Sequence, residues 1–206
     1  YVATDDERIV QAVRNFKGNA VMTSSDHRSG TDRIREASDI LSGSDNNKYD
    51  VIVNIQGDEP FIQPEQIREL IQCFDDKNTD IATLIKPINK NEELFNPNLP
   101  KVITDKYNYA IYFSRSTIPY IRNKDTYEWV SHFPYHKHIG IYAYRTHILN
   151  EITLLEPSSL EMAESLEQNR WIENGYRIKT ATTKHDNYPI DTPEDLNNIV
   201  SRLFPE

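Results

Sequence analysis

The sequence predicts an α/β fold: a three-layer α/β/α domain with a mainly parallel sheet and a small antiparallel β lobe. Over residues 1–88, short apolar runs alternate with amphipathic helical patterns, as in a parallel sheet covered on both faces. Two further runs flank a polar turn, which predicts an antiparallel hairpin. The 206 residues suffice for one sizeable core. We therefore expect a single domain over residues 1–206, with the lobe inserted at about residues 101–145.

The first helix is predicted from a capping signal. Thr4 and Glu7 have capping-box spacing, so a helix is expected to follow a short strand at residues 2–4. Lys17 and Gly18 would end that helix. Its apolar face is expected to contain Ile9, Val10, Val13 and Phe16.

The following elements continue the alternation. A short strand is expected at residues 20–23, and Thr31 would open a second helix with Ile34, Ala37 and Leu41 on one face. Residues 42–48 are polar and predict a surface loop. Strands are then expected at residues 51–56 and 81–88, separated by a helix that begins after Pro64.

The second half of the chain departs from this alternation of strands and helices. Residues 101–104 and 109–113 predict the hairpin, and residues 138–144 a further strand. Ser158 and Glu161 form another capping box, whose helix Gly175 would end. A late strand is expected at residues 177–182. The last helix would begin at Thr192, with Pro193 and Asp195 in its first turn and Ile199, Val200 and Leu203 on its core face.

Composition excludes several classes of protein. The net charge of −9 argues against a nucleic-acid or anionic-membrane surface, because such surfaces need clustered positive charge. No apolar run approaches the ~20 residues that span a bilayer. The single cysteine, Cys73, lies on the apolar side of a helical pattern and suits a reducing cytoplasm as a buried, unreactive thiol.

The most informative stretch is residues 54–60, Asn-Ile-Gln-Gly-Asp-Glu-Pro, directly after the apolar run at residues 51–53. Ligands of open α/β sheets bind at the carboxyl ends of the strands. A carboxylate there, such as that of Asp58, can hold a metal ion against the phosphates of a nucleotide. The alternative is a Gly-Asp turn that merely ends the strand, and the spacing alone leaves both interpretations open.

Five further motifs follow the same order as in a known family: Asp26–Arg33, Phe113–Arg115, His138–Tyr142, Leu166–Gln168 and Ile190–Leu196. Together with residues 51–60 they resemble the 3-deoxy-manno-octulosonate cytidylyltransferase (CMP-Kdo synthetase) family of bacterial lipopolysaccharide assembly. The resemblance covers nearly the whole chain. It implies a nucleotide-diphospho-sugar transferase-like fold, and transfer of CMP from CTP to 3-deoxy-manno-octulosonate (Kdo) with release of pyrophosphate.

The resemblance also implies a nucleotide site. It places the CTP contacts at Ser29, Gly30, Arg33, Gln56 and Asp58. Gly30 allows a close approach of the backbone, and the helix opened beside it favours an anion or polar ligand at its amino end. Without the resemblance, the spacing of this segment favours a helix cap beside a solvated arginine.

A magnesium site is expected from two distant carboxylates. The resemblance implies that Asp58 and Asp191 share one catalytic Mg²⁺, an ion that accepts one or two protein carboxylates together with phosphate and water. The alternative for Asp191 is an electrostatic partner of a helix amino terminus.

The third group of residues would bind the sugar acid. By resemblance these are Arg115, His138, Tyr142, Glu167 and Gln168. A guanidinium can grip a carboxylate, while the other polar side chains sort hydroxyl groups. Tyr142 is otherwise a residue of the sheet core. We discount His136 and His138 as metal ligands, because a hard cation prefers oxygen.

Two other functions stay open at this stage. One is a sister cytidylyltransferase for amino-Kdo or a nonulosonate. The other is a non-catalytic CTP-binding module, since the family's first strand, basic phosphate-binding loop and helix have no counterpart before Tyr1. From the missing loop we expect residues 1–206 alone to be poorly stable and essentially inactive.

The resemblance further implies a homodimer. The family pairs through its smaller lobe, and here that region is dense in aromatic side chains, which form either core or interface. They are Tyr107, Tyr109, Tyr112, Phe113, Tyr127, Trp129, Phe133 and Tyr135.

Overall fold

A computed structural model describes residues 1–45, 48–190, 192–194 and 196–197. The chain divides into two compact units. The first contains residues 1–54 and 144–155, and the second contains residues 55–143 and 156–206. Each unit is described separately below.

The strands and helices alternate along most of the chain. The strands are β1 (Val2–Thr4), β2 (Ala20–Met22), β3 (Val51–Ile55), β4 (Ile81–Pro87), β5 (Lys101–Thr104), β6 (Ala110–Ser114), β7 (His136–Arg145) and β8 (Ile178–Thr182). The helices are α1 (Glu7–Asn15), α2 (Gly30–Asp45), α3 (Pro64–Gln72), α4 (Asn91–Leu94), α5 (Trp129–His132), α6 (Thr146–Ile152), α7 (Ser159–Glu164) and α8 (Gln168–Glu173). Short 3₁₀ turns occupy Cys73–Asp75 and Thr126–Glu128.

The first unit begins with a parallel pair of strands. β1 pairs with β2 in parallel, and α1 connects them. The predicted cap of α1 is wrong by two residues. Asp6 is the N-cap and accepts from the backbone N–H of Arg8, whereas Thr4 Oγ1 accepts from the N–H of Asp6. A carboxylate directly before the helix offers the stronger acceptor for its unpaired N–H groups.

Two other expectations for this unit are corrected. On α1, Val10 and Val13 are buried, but Ile9 and Phe16 are 44% and 69% exposed, so the apolar face is narrower than predicted. The predicted loop at residues 42–48 is partly helical, because α2 continues to Asp45. Polar residues at the end of a helix resemble a loop in sequence, since neither pattern needs apolar side chains.

The second unit is built on a mixed sheet with the strand order β6-β5-β7-β4-β8. β4 and β8 are parallel, and β5 runs antiparallel to both β6 and β7. The predicted hairpin is thus confirmed. The Ile88 N–H donates to the carbonyl of Tyr135, while Thr83 contacts the carbonyls of Ile139 and Ile141. This reversed order makes β4 antiparallel to β7. The strands expected in the lobe therefore share one sheet with β4 and β8.

The core of the second unit centres on β4. Residues 81–85 of this strand are all buried, which explains why apolar residues fill every position except Thr83 instead of alternating with polar ones. The largest wholly buried side chains of the unit come from β4 itself and from elements before and after it in sequence. They are Leu70, Ile81, Leu84, Leu94, Lys101, Phe113, Tyr135, Ile139, Ile141 and Trp171.

The helical segment after residue 156 is interrupted. The capping box of Ser158 and Glu161 is confirmed, but the single helix expected to reach Gly175 is wrong. Ser165 adopts a left-handed conformation (φ 51°, ψ 51°), which ends α7 and allows α8 to begin at Gln168. Gly175 (φ 86°) follows α8 as predicted.

The predicted last helix lies mostly outside the described residues, including Asp195, Ile199, Val200 and Leu203. The Leu196 N–H donates to the carbonyl of Thr192, which is one helical turn at the expected start. Among the described residues, no helix is both long and apolar enough to cross a membrane.

A buried asparagine completes the hydrogen bonding of β6. Asn169 on α8 is wholly buried, and its side-chain amide donates to the carbonyl of Phe113 (3.0 Å) and accepts from the N–H of Phe113 (3.4 Å). The side chain therefore pairs with this strand as a neighbouring backbone would. The next residue along α8, Arg170, pairs instead with Glu161 on α7.

We expect Asn169→Leu to lower the free energy of unfolding by about 2–4 kcal/mol, because two buried backbone groups of Phe113 lose their partner. Urea denaturation measures the loss. The control is Asn174→Ala, which removes an exposed amide that donates to the carbonyl of Arg170 and should cost less than about 1 kcal/mol. Equal losses in the two variants would contradict the pairing role of Asn169.

Candidate active site

The nucleotide motif of the first unit forms the entrance to α2. Ser29 Oγ accepts from the N–H of Asp32 (3.2 Å), so its hydroxyl caps the helix. Arg33 donates to Thr23 Oγ1 (2.8 Å) and pairs with Asp5 Oδ1 (3.3 Å). These contacts hold the arginine against the ends of β1 and β2. The guanidinium is consequently ordered and 22% exposed, not freely solvated.

A His–Glu pair that the sequence did not reveal stabilises the loop before α2. Glu36 accepts from His27 Nε2 and from the N–H of Ser24 (2.8 Å). The hydrogen bond from His27, followed by that from Ser24, lowers the pKa of Glu36. A pocket of about 430 Å³ opens beside this pair, and Asp32, Arg35 and Asp39 complete its lining. The pair fixes the loop that carries Ser29 and Gly30.

In the second unit, the acidic turn after β3 divides into an exposed and a buried carboxylate. Asp58 is exposed, whereas Glu59 is only 7% exposed and accepts from Asn187 Nδ2 (2.6 Å). The Ile190 N–H donates to the carbonyl of Asp58 (2.8 Å). The chain before residue 191 is therefore tied to this turn. Asp191 itself lies outside the described residues.

The fit of a metal can be tested at Asp58. Its carboxylate is exposed and makes no hydrogen bond or ion pair with other described residues, so it is available to a hard cation. The described residues contain no cluster of three or more His, Cys, Asp or Glu side chains able to hold a metal. Gln56 precedes this turn, is partly buried, and its carbonyl accepts from the N–H of Glu59 (3.1 Å).

Arg115 lies at the end of β6 and is held by backbone carbonyls. Its Nε donates to the carbonyl of Glu164 (2.7 Å), Nη2 to that of Ser165 (3.3 Å) and Nη1 to that of Pro97 (3.2 Å). Three of the five N–H groups of a guanidinium are thus used. One N–H on each terminal nitrogen remains for a ligand.

His138 belongs to a row of rings. Its ring centroid lies 5.2 Å from that of Phe113 and 5.2 Å from that of Tyr142, and the Tyr142 ring meets Trp171 edge-on at 5.1 Å. Burial lowers the pKa of His138 from 6.5 to about 3. The imidazole is therefore neutral at physiological pH. Tyr142 is 8% exposed, so its ring is part of the core as well as a predicted sugar contact.

The tautomer of His138 follows from Thr83. The single hydroxyl hydrogen of Thr83 is directed to the carbonyl of Ile141, 2.8 Å from Oγ1. His138 Nε2, 3.0 Å from the same Oγ1, must then donate. This leaves Nδ1 of His138 as an acceptor for a hydroxyl group.

Glu167 and Gln168 begin α8, directly after the break at Ser165. Glu167 Oε1 lies 3.8 Å from Arg170 Nη2. Gln168 is 5% exposed, and its Nε2 has no hydrogen-bond partner among the described residues. An amide donor buried without a partner costs free energy that a ligand oxygen can recover.

The structure places the predicted residues in two groups. Ser29, Gly30 and Arg33 lie in the first unit, and Gln56, Asp58, Arg115, His138, Tyr142, Glu167 and Gln168 lie in the second. Sequence reasoning missed Glu164, whose carboxylate accepts from the backbone N–H of Arg115 (2.9 Å), and also missed Asp186, which pairs with Lys86 (2.5 Å). No motif signals either residue.

Comparison with known proteins gives consistent results. A family model described as cytidylyltransferase matches residues 1–179. A protein of Parabacteroides distasonis named 3-deoxy-manno-octulosonate cytidylyltransferase is 56% identical over 206 residues, which is 98% of this chain and 80% of that protein. A protein of Bacteroides thetaiotaomicron with the same name is 55% identical over 201 residues, 96% of this chain and 79% of that protein.

Comparison with solved structures gives the same result as comparison with sequences. One, described as CMP:2-keto-3-deoxy-manno-octonic acid synthetase complexed with CTP, has a TM-score of 0.86 and 40% identity, covering 98% of this chain and 79% of that one. The predicted fold class is confirmed by this match. A second, a putative glucose-1-phosphate thymidylyltransferase from Bacillus anthracis, has a TM-score of 0.57 at 14% identity over 97% of this chain and 72% of that one, and is similar in fold alone.

We expect a neutral, partly buried His138 to make the fold sensitive to acid. Its pKa is about 3 when folded and about 6.5 when unfolded, so the unfolded chain binds more protons between these values. The stability contributed by the neutral imidazole is present above pH 6.5 and is lost as the pH falls toward 3, by up to about 1.4 kcal/mol per pH unit.

Urea denaturation at pH 7 and pH 5 measures this effect. His138→Asn should show a smaller loss of stability between the two pH values than the unmodified protein. Replacement of the exposed His132 by Asn should leave the loss unchanged. An unaltered pH dependence in His138→Asn would contradict the assignment of a low pKa to this ring.

Proposed function

The chain belongs to the cytidylyltransferase family, and from this premise we propose that it transfers CMP from CTP to 3-deoxy-manno-octulosonate and releases pyrophosphate. The observation that carries the proposal is the 56% identity over 98% of the chain to a protein named for this reaction. The likeness to a synthetase complexed with CTP supports the choice of nucleotide.

The proposed reaction is an in-line displacement. The anomeric hydroxyl of the sugar acid attacks the α-phosphorus of CTP, so a phosphorus–oxygen bond to the sugar forms while the bond to the pyrophosphate oxygen breaks. The hydroxyl proton passes to solvent. The protein contributes position and electrostatics rather than a covalent intermediate. Ser29, Gly30, Arg33 and Gln56 are the proposed nucleotide contacts.

The proposed sugar site combines one cation with neutral polar groups. The two remaining N–H groups of Arg115 suit a carboxylate, which accepts hydrogen bonds from a guanidinium on two oxygens. Nδ1 of His138 would accept from a sugar hydroxyl, and Nε2 of Gln168 would donate to one. Tyr142 would supply the wall of the site and Glu167 a further acceptor. A neutral His138 adds no charge that would vary with pH.

Asp58 and Asp191 are the proposed holders of a Mg²⁺ ion. A bound Mg²⁺ would neutralise charge on the phosphate oxygens. The exposed carboxylate of Asp58 supports its part in the site, as does the hydrogen bond between its carbonyl and Ile190, the residue before Asp191. Asp58 would orient the nucleotide through this ion.

We further propose that the protein is a homodimer that serves lipopolysaccharide synthesis in the cytoplasm, where CTP is made. Exposed aromatic side chains support an interface, since Tyr127 is 71% and Tyr107 60% exposed. Phe113, Trp129 and Tyr135 belong instead to the core.

A substrate panel tests the function. The purified protein, both as residues 1–206 and with the family's amino-terminal segment added, is incubated with CTP, Mg²⁺ and Kdo, amino-Kdo or a nonulosonate, and pyrophosphate is measured. We expect release with Kdo at least about tenfold faster than with the others, because each mismatched polar contact costs a factor of this size. Faster release with another acid would identify a sister enzyme. CTP binding without release with any acid would indicate a binding module.

We expect Asp58→Asn to lower turnover by at least ~10²-fold, the scale of one lost electrostatic contact in an active site. The variant should also lose the rise in thermal unfolding temperature that Mg²⁺ with CTP gives the unmodified protein. The control is Asp75→Asn, an exposed aspartate elsewhere in the same unit. Near-normal turnover and an unchanged Mg²⁺ response in Asp58→Asn would exclude the metal role.

A further inference from the structure

The carboxylate of Glu164 hydrogen-bonds to the end of β6. Its Oε1 accepts from the hydroxyls of Ser114 (2.6 Å) and Tyr112 (3.1 Å), and its Oε2 accepts from the backbone N–H of Arg115 (2.9 Å). These three donors are at positions 112, 114 and 115, in the last residues of β6 and directly after it. The carboxylate lies 49 to 52 positions further along the chain, so it joins the strand to the end of α7.

The backbone of the same residue holds the guanidinium of Arg115. The left-handed Ser165 ends α7, and a helix end leaves carbonyl groups without intrahelical partners. Arg115 Nε donates to the Glu164 carbonyl at 2.7 Å, and Nη2 donates to the Ser165 carbonyl at 3.3 Å. Glu164 therefore contacts Arg115 twice, at its backbone N–H and at its side chain.

The charges around Glu164 are balanced. Lys101 on β5 is wholly buried, donates to the carbonyl of Asn96 (2.9 Å) and is paired in register with Ser114. Burial lowers the pKa of Lys101, and the nearby Glu164 opposes that shift. Burial would raise the pKa of Glu164, but hydrogen bonds from Ser114 and Arg115 outweigh it and lower the pKa. Glu164 is thus ionised at neutral pH.

We propose that Glu164 is a positioning residue that sets the direction of the Arg115 guanidinium toward the carboxylate of the sugar acid. The inference rests on the proposed function, in which Arg115 binds that carboxylate. Without Glu164, the backbone of Arg115 loses its acceptor and the side chain loses a fixed helix end. The two free N–H groups would then point in several directions, and the site would bind the acid less tightly.

The position of the break supports this role. Glu167 and Gln168 follow Ser165 by two and three residues, so the segment that holds Arg115 also sets the start of α8. One short stretch of backbone thereby fixes the distance between the guanidinium and the buried amide of Gln168.

The test is a double-mutant cycle with Glu164→Gln, Arg115→Ala and both together. We expect Arg115→Ala to raise the KM for Kdo about 10- to 100-fold, as for a lost charge-assisted hydrogen bond. Glu164→Gln should raise it about tenfold while the KM for CTP changes less than about twofold. In the Arg115→Ala background, Glu164→Gln should add less than about a twofold effect, because it acts through Arg115.

Two kinds of control separate positioning from simple damage to the fold. Glu173→Gln removes a carboxylate that accepts from Ser159 Oγ (2.8 Å) and the Leu160 N–H (2.9 Å) at the other end of α7, and should leave both KM values unchanged. Ser114→Ala and Tyr112→Phe each remove one donor to Glu164. They should raise the KM for Kdo about two- to fivefold, and they serve as the test if Glu164→Gln does not fold.

The outcomes distinguish the two proposals. An unchanged KM for Kdo in Arg115→Ala would overturn the proposed role of Arg115 and the positioning role with it. A raised KM in Arg115→Ala, with Glu164→Gln, Ser114→Ala and Tyr112→Phe all like the unmodified protein, would overturn the positioning role alone. Equal effects of Glu164→Gln with and without Arg115 would likewise assign Glu164 to the fold rather than to the site.

Discussion

The hydrogen bonds between Glu164 and the end of β6 are the constraint on which the proposed sugar-acid site depends. A partly buried carboxylate needs hydrogen bonds in place of those to water, and Ser114, Tyr112 and the Arg115 N–H supply them. These hydrogen bonds fix the end of β6, the end of α7 and the direction in which Arg115 leaves the sheet. The position of Gln168 follows from the break at Ser165, because α8 begins directly after it. The hydrogen bonds of one partly buried carboxylate therefore help to determine the positions of several predicted ligand contacts.

A second anchor acts on the segment that leads toward Asp191. Asp186 pairs with Lys86 on β4 at 2.5 Å and lies 3.5 Å from Lys137 on β7, while Lys137 also donates to Glu93. Burial favours the neutral form of Asp186, yet its hydrogen bond with Lys86 leaves the pKa lowered. Further along the segment, Asn187 and Ile190 hydrogen-bond to Glu59 and Asp58. The segment is thus held from the sheet on one side and from the acidic turn on the other.

The sequence predicted those parts of the fold that local signals determine. Periodicity and turn residues were sufficient for β4, the β5–β6 hairpin and the capping box at Ser158. The break at Ser165 was missed, because a left-handed serine between two helices carries no glycine or proline signal. Glu164 was missed for a different reason: its importance lies in contacts with residues about 50 positions away, which no motif spacing reveals. The candidate ligand residues came from resemblance, whereas the partners that orient them came from three-dimensional contacts.

The electrostatics of the second unit explain how a chain with a net charge of −9 can select an acidic ligand. Lys86 and Lys137 are paired with Asp186 and Glu93, and Lys101 is buried beside Glu164. These lysines neutralise carboxylates of the fold itself. Arg115 differs, because its guanidinium hydrogen-bonds to neutral carbonyls, although the charge of the nearby Glu164 carboxylate also attracts it. One N–H group on each terminal nitrogen of Arg115 therefore remains available to a ligand, and the neutral His138 on β7 does not compete for the same anion. Under the proposed function, this division between paired lysines and a carbonyl-bound arginine would favour a ligand that carries a carboxylate.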